Sequence, residues 1–317
     1  MASGIQDRLI AETPVAIIDF ETTGLTAGFD RVVEVSVVRV DPGQQPRLVF
    51  DTLINPRRPM AATEVHGITD ADVENAPVFA EIAGDVLAAT AGCVVAAYNV
   101  YFDMQFLEFE LGNVGVRHPA PHFCLMYMRP MLGLGSRCKL QEACTSHGIE
   151  RTASHIAAAD AMASGELLLK YQTEMEEKGV RTYGELAKLK KYKFMESFCH
   201  APLPAASSFG LTGGKTVVSR ANLTDGSPAI RNPVAGYWDL LKSVLVDLEI
   251  TEQELGAIKA EQESGGLSDE EIRTLHARAF ASAVSGFAAD QRIDPSEQER
   301  LRRLYACLAK LGWAPGQ

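Results

Sequence analysis

The sequence predicts an α/β protein: a mixed sheet of about five strands with helices on its faces, followed by an all-α bundle. Three observations lead there. Near the N-terminus, three apolar, β-branched runs follow one another with only short turns between them. The strand-like runs after them alternate with helical ones, and beyond Tyr237 the period is helical throughout.

Residues 15–20 read as a buried strand, 32–40 as a long β-branched strand and 48–54 as a third, with turn residues (Gly24, Gly28 and Asp30, then Asp41, Pro42 and Gly43) between them. That is a three-strand meander. From Pro77 the pattern becomes helical (VFAEIAGDVLAAT). A strand follows at 93–97, then a helix starting near Tyr101, a short strand at 122–125, and helices at 140–147 and 157–171. Strands joined through helices pair in parallel, so the sheet is expected to be mixed.

Between Cys199 and Pro233 the chain is rich in Pro, Gly, Ser and Asn with no sustained period, the composition of a linker. The expected organisation is a first domain at 1–195, a linker at 196–233 and a helical domain at 234–317. The last holds four helices: WDLLKSVLVDLE, TEQELGAIKAEQ, SDEEIRTLHARAFASAVSGFAAD and DPSEQERLRRLYACLAKLG. A weak repeat, DLEITEQE from Asp247 and DQRIDPSE from Asp290, places Thr251 and Asp294 three residues before Glu254 and Glu297, with Pro295 at the first helical position. Both copies spell a capping box. A calcium loop is the sharper alternative. It would put Arg292 at a ligand position and lacks the central glycine, so the caps are preferred.

Two domains suit a chain of 317 residues. With 46% hydrophobic and 22% charged residues, the composition is that of a globular protein. No segment has the uninterrupted apolar length of a membrane span and the N-terminus has no leader pattern, so a soluble, cytoplasmic protein is expected. Six scattered cysteines without a CxxC pair argue against a disulfide framework or a zinc site. The net charge of -11 repels polyanions, so a nucleic-acid partner would have to be held by local cations or metal ions.

The stretch AIIDFETTGL, from Ala16, carries the chemistry. Asp19 and Glu21 stand at the end of a buried strand and, two residues apart in extended backbone, point to the same side beside Thr22, Thr23 and Gly24. A polar turn would account for this fragment as well as a cation ledge would. In VVAAYNVYFDMQFLEFE a buried strand ends at Asn99, and Asp103 lies in the first turn of the next helix, where a lone Asp usually serves the helix dipole. In SHIAAADAMASGELL, His155 precedes Asp160, an acid of poor helix propensity set among alanines with no evident structural partner. Four converging acids need cations, and two Mg²⁺ or Mn²⁺ ions would suit displacement at a phosphodiester, with His155 taking a proton from water.

The order DxETTGL, NxxFD and HxxxxDA resembles the DEDDh 3′→5′ exonuclease superfamily, the DnaQ-like, DNA polymerase III epsilon-subunit type, over residues 12–175. The resemblance implies a ribonuclease H-like fold, with Asp19, Glu21, Asp103 and Asp160 as ligands of two divalent cations and His155 as general base. It implies release of nucleoside 5′-monophosphates from the 3′ end of a nucleic acid, in first place single-stranded DNA. TEVHGIT, residues 63–69, is similar to the loop that holds the terminal nucleotide in such enzymes. It adds His66, Gly67 and Ile68 as substrate contacts to Thr22, Thr23, Leu25, Asn99 and Phe102.

Two departures stand out: Tyr98 replaces a frequent His, and Cys124-Leu125 a frequent Asp-Thr pair. The basic KLKKYKF (Lys188, Lys190, Lys191, Lys193, with Tyr192 and Phe194) offers phosphate and stacking contacts, but a solvated helix end is the preferred reading. The C-terminal helices resemble the TerB-like, tellurite-resistance type, a candidate docking place for a protein partner. An exoribonuclease acting on short RNA, or a non-catalytic nucleic-acid or polymerase-binding module, remain the alternatives.

Overall fold

The computed structural model describes residues 5–117, 119–151, 155–201, 203–204, 219–220, 232–245, 248–287 and 294–314. Most of the expected linker lies outside the described residues, as does the 290–293 part of the repeat. The chain divides into two compact units. The first comprises Met1–Glu21, Val32–Arg58 and Asp70–Ala229, and the second Thr22–Arg31, Pro59–Thr69 and Ile230–Gln317.

The first unit is built on one five-stranded sheet: β1 (Val15–Thr22), β2 (Val32–Val40), β3 (Arg47–Leu53), β4 (Val94–Ala97) and β5 (His122–Cys124), in the order β3-β2-β1-β4-β5. The meander and the parallel pairing are both as expected. β2 and β3 are antiparallel with an irregularity between Val37 and Val38, whereas β1 pairs with β4, and β4 with β5, in parallel. β1 is central, and Val15, Ala16, Ile17 and Ile18 are fully buried on both sides of the strand. That explains its unbroken apolar run, because a strand covered on both faces cannot alternate polar and apolar residues. Val15, Ile17 and Ile18 each contribute about 1.5–3 kcal/mol by burial.

Helices cover the sheet. Ala157–Glu177 packs on β2 and β3, and Phe79–Thr90 packs on the same strands and on the helix Val100–Asn113. The close approach of Ala157–Glu177 depends on Gly165, where an added Cβ would stand 2.9 Å from the Pro46 side chain. Several short helices, among them Leu125–Met131 and Tyr183–Leu189, are absent from the sequence reading. The second starts with a capping box, Thr182 with Glu185, which was legible in the spacing. In KLKKYKF the four lysines are exposed. Phe194 is buried, however, and Tyr192 packs edge-on against Tyr127, so the aromatic half of the motif serves the core. Six free cysteines are present, four of them buried.

The second unit contains the helices Pro233–Leu245, Glu252–Gly265, Asp269–Phe287 and Pro295–Lys310, the four expected. Tyr237, Trp238, Leu241, Val244, Leu275 and Leu308 centre its core. Within it the Tyr237 hydroxyl meets His276 Nε2 at 2.8 Å, and burial pushes the imidazole down to about 4, which keeps it neutral at ordinary pH. Among the described residues, no helix is long and apolar enough to cross a membrane.

Both expected capping boxes form. Thr251 Oγ1 accepts the Glu254 N–H at 3.2 Å and Asp294 Oδ1 accepts the Glu297 N–H at 2.8 Å, while each Glu carboxylate accepts the N–H of its cap residue. These acids are thereby engaged with helix ends. Thr251→Ala and Asp294→Ala should each lower stability by about 1 kcal/mol in urea unfolding, and by the same amount with or without Ca²⁺; a Ca²⁺-dependent loss would favour the cation reading.

Candidate active site

Asp19 and Glu21 lie within β1, which runs two residues further than the sequence suggests, because its ladder continues to Thr22. Alternation turns their side chains to one side and those of Ile18 and Phe20 to the other. Asp19 is half-buried and Glu21 is 5% exposed. β1 and β4 are parallel neighbours, so the chain leaving β4 emerges at the same sheet edge. It passes Asn99 and enters the helix Val100–Asn113, whose fourth residue is Asp103. Asp103 is 4% exposed, and its Oδ1 accepts the N–H of Phe20 at 3.1 Å, between the two β1 acids. Its role is thus wider than service to its own helix end.

The fourth acid, Asp160, arrives on the helix Ala157–Glu177. Ligand atoms of Glu21, His155 and Asp160 lie within 4.8 Å of one another, the group with metal-holding geometry among the described residues. Asp160 does have structural partners, contrary to expectation. Its Oδ1 pairs with the Arg151 guanidinium, and its Oδ2 accepts the backbone N–H of His155 at 3.1 Å. His155 adopts a left-handed backbone, φ 59°, strained for a residue with a side chain, and the bond to Asp160 helps to hold it there.

Glu34, in the middle of β2, escaped the sequence reading. It is fully buried; its Oε2 accepts the N–H of Ala157 at 3.2 Å and lies 3.4 Å from Arg220 Nη1. Burial pushes its carboxyl up to about 8, opposed by Arg220 and reinforced by the negative charge of Glu21. A Glu inside VVEVSVV was visible as an anomaly. Its partner was not, because Arg220 stands 186 residues away in the stretch read as linker. Arg220 Nη2 also reaches the His155 carbonyl at 3.5 Å, so both ends of the His155 peptide unit are engaged.

The remaining candidates fall in two groups. In the first unit, Asn99 immediately precedes the Asp103 helix, and its Oδ1 is buried without a hydrogen-bond partner among the described residues. Phe102 is buried, with its ring 5.0 Å from that of Phe106. Tyr98 donates its hydroxyl to the Cys138 carbonyl at 2.7 Å, and Cys124 begins the next helix without a side-chain cap, the places where the departures from the family pattern fall. Thr23, Leu25, His66, Gly67 and Ile68 belong to the second unit, and Thr22 is the strand's last residue. His66 Nδ1 accepts the Ile68 N–H at 3.0 Å, which fixes the ring, and Gly67 takes φ 74°.

The donor set of carboxylates and imidazole fits a hard divalent cation. Three features support the fit: Glu21, Asp103 and Asp160 are buried, Glu21 and Asp160 come together with His155, and Asp160 already pairs with a positive group.

Residues 16–168 match the model of the RNase_T family, described as Exonuclease. The chain is 32% identical over 190 residues to a DNA polymerase III subunit epsilon-like protein of Rhodobacter capsulatus, covering 56% of this chain and 27% of that protein. It is 30% identical over 229 residues to the PolC-type DNA polymerase III of Bacillus subtilis, covering 68% of this chain and 16% of that one. The chain thus spans about a quarter or less of these relatives, 27% and 16%. Among solved structures, exonuclease X in complex with 5′ overhanging duplex DNA aligns with a TM-score of 0.43 and 23% identity, over 56% of this chain and 99% of that one.

The buried Glu34 yields a sign-definite prediction. Its folded carboxyl sits near 8, above the ordinary 4.5, so the folded protein retains a proton that the unfolded chain releases, and stability falls as pH rises between those values. In chelator, Glu34→Gln should gain on wild type by about 1 kcal/mol per pH unit across that window, read from urea unfolding. A difference independent of pH would contradict the assignment. Residues 16–168 are thus similar to the RNase_T family, described as Exonuclease, and the chain is similar to DNA polymerase III epsilon-like and PolC-type proteins.

Proposed function

We propose that the protein is a metal-dependent 3′→5′ exonuclease that hydrolyses DNA from its 3′ end and releases nucleoside 5′-monophosphates. The observation that carries this reading is the gathering of Glu21, His155 and Asp160 within 4.8 Å, with Asp103 tied to the backbone between Asp19 and Glu21. The exonuclease family match and the DNA polymerase III relatives support it.

In this proposal Asp19, Glu21, Asp103 and Asp160 hold two divalent cations, Mg²⁺ or Mn²⁺. Such ions, when bound, supply charge for the scissile phosphate and acidify a water. His155 accepts the proton of the attacking water. The hydrogen bond from its backbone to Asp160 couples the position of the base to that of a ligand. Thr22, Thr23, Leu25, His66, Gly67, Ile68, Asn99 and Phe102 are assigned to the terminal nucleotide.

The nuclease chemistry belongs to residues 1–195, and 196–233 joins them to a TerB-like helical domain at 234–317 that serves a protein partner or the substrate. The setting proposed is the cytoplasm. A 3′-end substrate with single-stranded character suits an acidic chain, because the cations supply the local positive charge that its net -11 withholds.

Digestion of 3′- and 5′-labelled single-stranded DNA and RNA with Mg²⁺, Mn²⁺ or EDTA tests the reading. Stepwise loss from the 3′ end of DNA is expected, abolished by EDTA and reduced about 10³-fold or more in Asp19→Ala and in Asp160→Ala. His155→Ala should lower kcat about 10²- to 10⁴-fold with little change in KM. Loss from the 5′ end, or retained activity in Asp19→Ala, would overturn it.

A further inference from the structure

Two chain segments that carry proposed substrate contacts, Thr22–Arg31 and Pro59–Thr69, fall in the same compact unit as the C-terminal helices. Ala62 and Val65, 1% and 4% exposed, share one apolar core with Ala235, Tyr237, Trp238 and Leu241, and Leu25 packs against that core. Polar ties accompany the packing. Asn232 donates from Nδ2 to the Glu64 carbonyl at 2.7 Å, Arg278 forms an ion pair with the Glu64 carboxylate, and the Ser282 hydroxyl donates to Asp30.

Asp30 organises the first segment. It is 3% exposed; its Oδ1 accepts from Thr23 Oγ1 at 3.2 Å and its Oδ2 from the Thr26 N–H at 3.0 Å. Its own N–H donates to the Thr26 carbonyl at 2.7 Å. Gly24 is required here, since a Cβ would stand 2.5 Å from the Asp30 carboxylate. A buried carboxylate needs its full set of donors, and Ser282 supplies one from the helix Asp269–Phe287.

The second segment is a four-residue helical turn, Thr63–His66, entered through a left-handed Ala62 (φ 59°) and closed by Gly67. Thr63 Oγ1 donates to the Ile68 carbonyl at 2.9 Å. So short a helix does not hold its shape in water unaided, because nucleation is costly and few bonds repay it. Burial of Ala62 and Val65 among the C-terminal helices supplies what its own hydrogen bonds do not.

We propose that the C-terminal helices are the scaffold of the substrate loops: they hold 22–31 and 59–69 in the conformation that receives the 3′-terminal nucleotide. The bundle acts through Thr22, Thr23, Leu25, His66 and Ile68 and contributes positioning residues, chiefly Arg278 and Ser282. This rests on the exonuclease reading for the identity of the substrate. It gives the helical domain a role within the same polypeptide, with no second protein required.

The test uses the full chain with Arg278→Glu, Ser282→Ala, their combination, and the exchanged pair Glu64→Arg with Arg278→Glu. Amide hydrogen exchange in 22–31 and 59–69 should rise about tenfold in the combined variant, while exchange in the five strands stays at the wild-type rate. On a 3′-labelled single-stranded DNA, KM should rise about fivefold or more with kcat within about twofold, the signature of lost ground-state binding. The exchanged pair restores the ion pair with opposite polarity and should return exchange in 59–69 to wild type. That separates the contact from general loss of folding, which circular dichroism also monitors.

Unchanged exchange in both segments overturns the proposal. So does raised exchange with unchanged KM, and so does a fall in kcat alone. If the wild-type protein degrades no oligonucleotide, the exonuclease reading fails, while the exchange data still decide whether the bundle holds the loops.

Discussion

The constraint on which the structure turns is electrostatic: the buried carboxylates Glu21 and Asp160 come together beside His155, with the buried Asp103 bonded to the backbone between Asp19 and Glu21. Glu34 shows the cost: burial and the negative charge of Glu21 together push its carboxyl up. The fold answers with fixed donors. Phe20 N–H serves Asp103, His155 N–H and Arg151 serve Asp160, and Ala157 N–H with Arg220 serves Glu34. A helix N-terminus and two guanidinium groups thus lower the cost of assembling a negative site before any cation binds.

That arrangement accounts for features that otherwise look unrelated. β1 must be central so that Asp19 and Glu21 meet chain segments arriving from both sides in the strand order. The helix Ala157–Glu177 must lie close to the sheet to bring Asp160 and the Ala157 N–H to Glu21 and Glu34, and Gly165 permits that approach. His155 takes a left-handed backbone at the junction because its N–H and its carbonyl are each claimed by a charged side chain. Strain of this kind survives where neighbouring groups over-determine the geometry, as they do here.

Much of this was legible in the sequence because the signals were local. Unbroken apolar runs marked the buried strands, turn residues marked the meander, and Ser/Thr/Asp-to-Glu spacing marked the helix caps. Of the candidate acids only Asp160 stood out by itself, set among alanines; Asp19, Glu21 and Asp103 each had an ordinary structural reading, and the three segments gained weight only together. What stayed hidden depended on distant pairing. No spacing rule connects Arg220 to Glu34 or Ser282 to Asp30. Asp160 looked partnerless because its partner, Arg151, sits in a loop with no period. Val65 read as part of a substrate loop and gave no sign that it belongs to the core of helices beginning 168 residues later, at Pro233 (233 − 65). Phe194 is a further case: the stretch around it read as a solvated helix end, with stacking as the alternative, and packing took the ring inside.

The central claim is that these carboxylates are gathered to hold divalent cations. The most direct measurement is anomalous scattering from crystals grown with Mn²⁺ and a nucleoside 5′-monophosphate. The account predicts manganese peaks bounded by carboxylate oxygens of Asp19, Glu21, Asp103 and Asp160, with Arg151 displaced from Asp160 or sharing it. Manganese absent from these four residues at saturating concentration, with the Arg151–Asp160 pair intact, would contradict it.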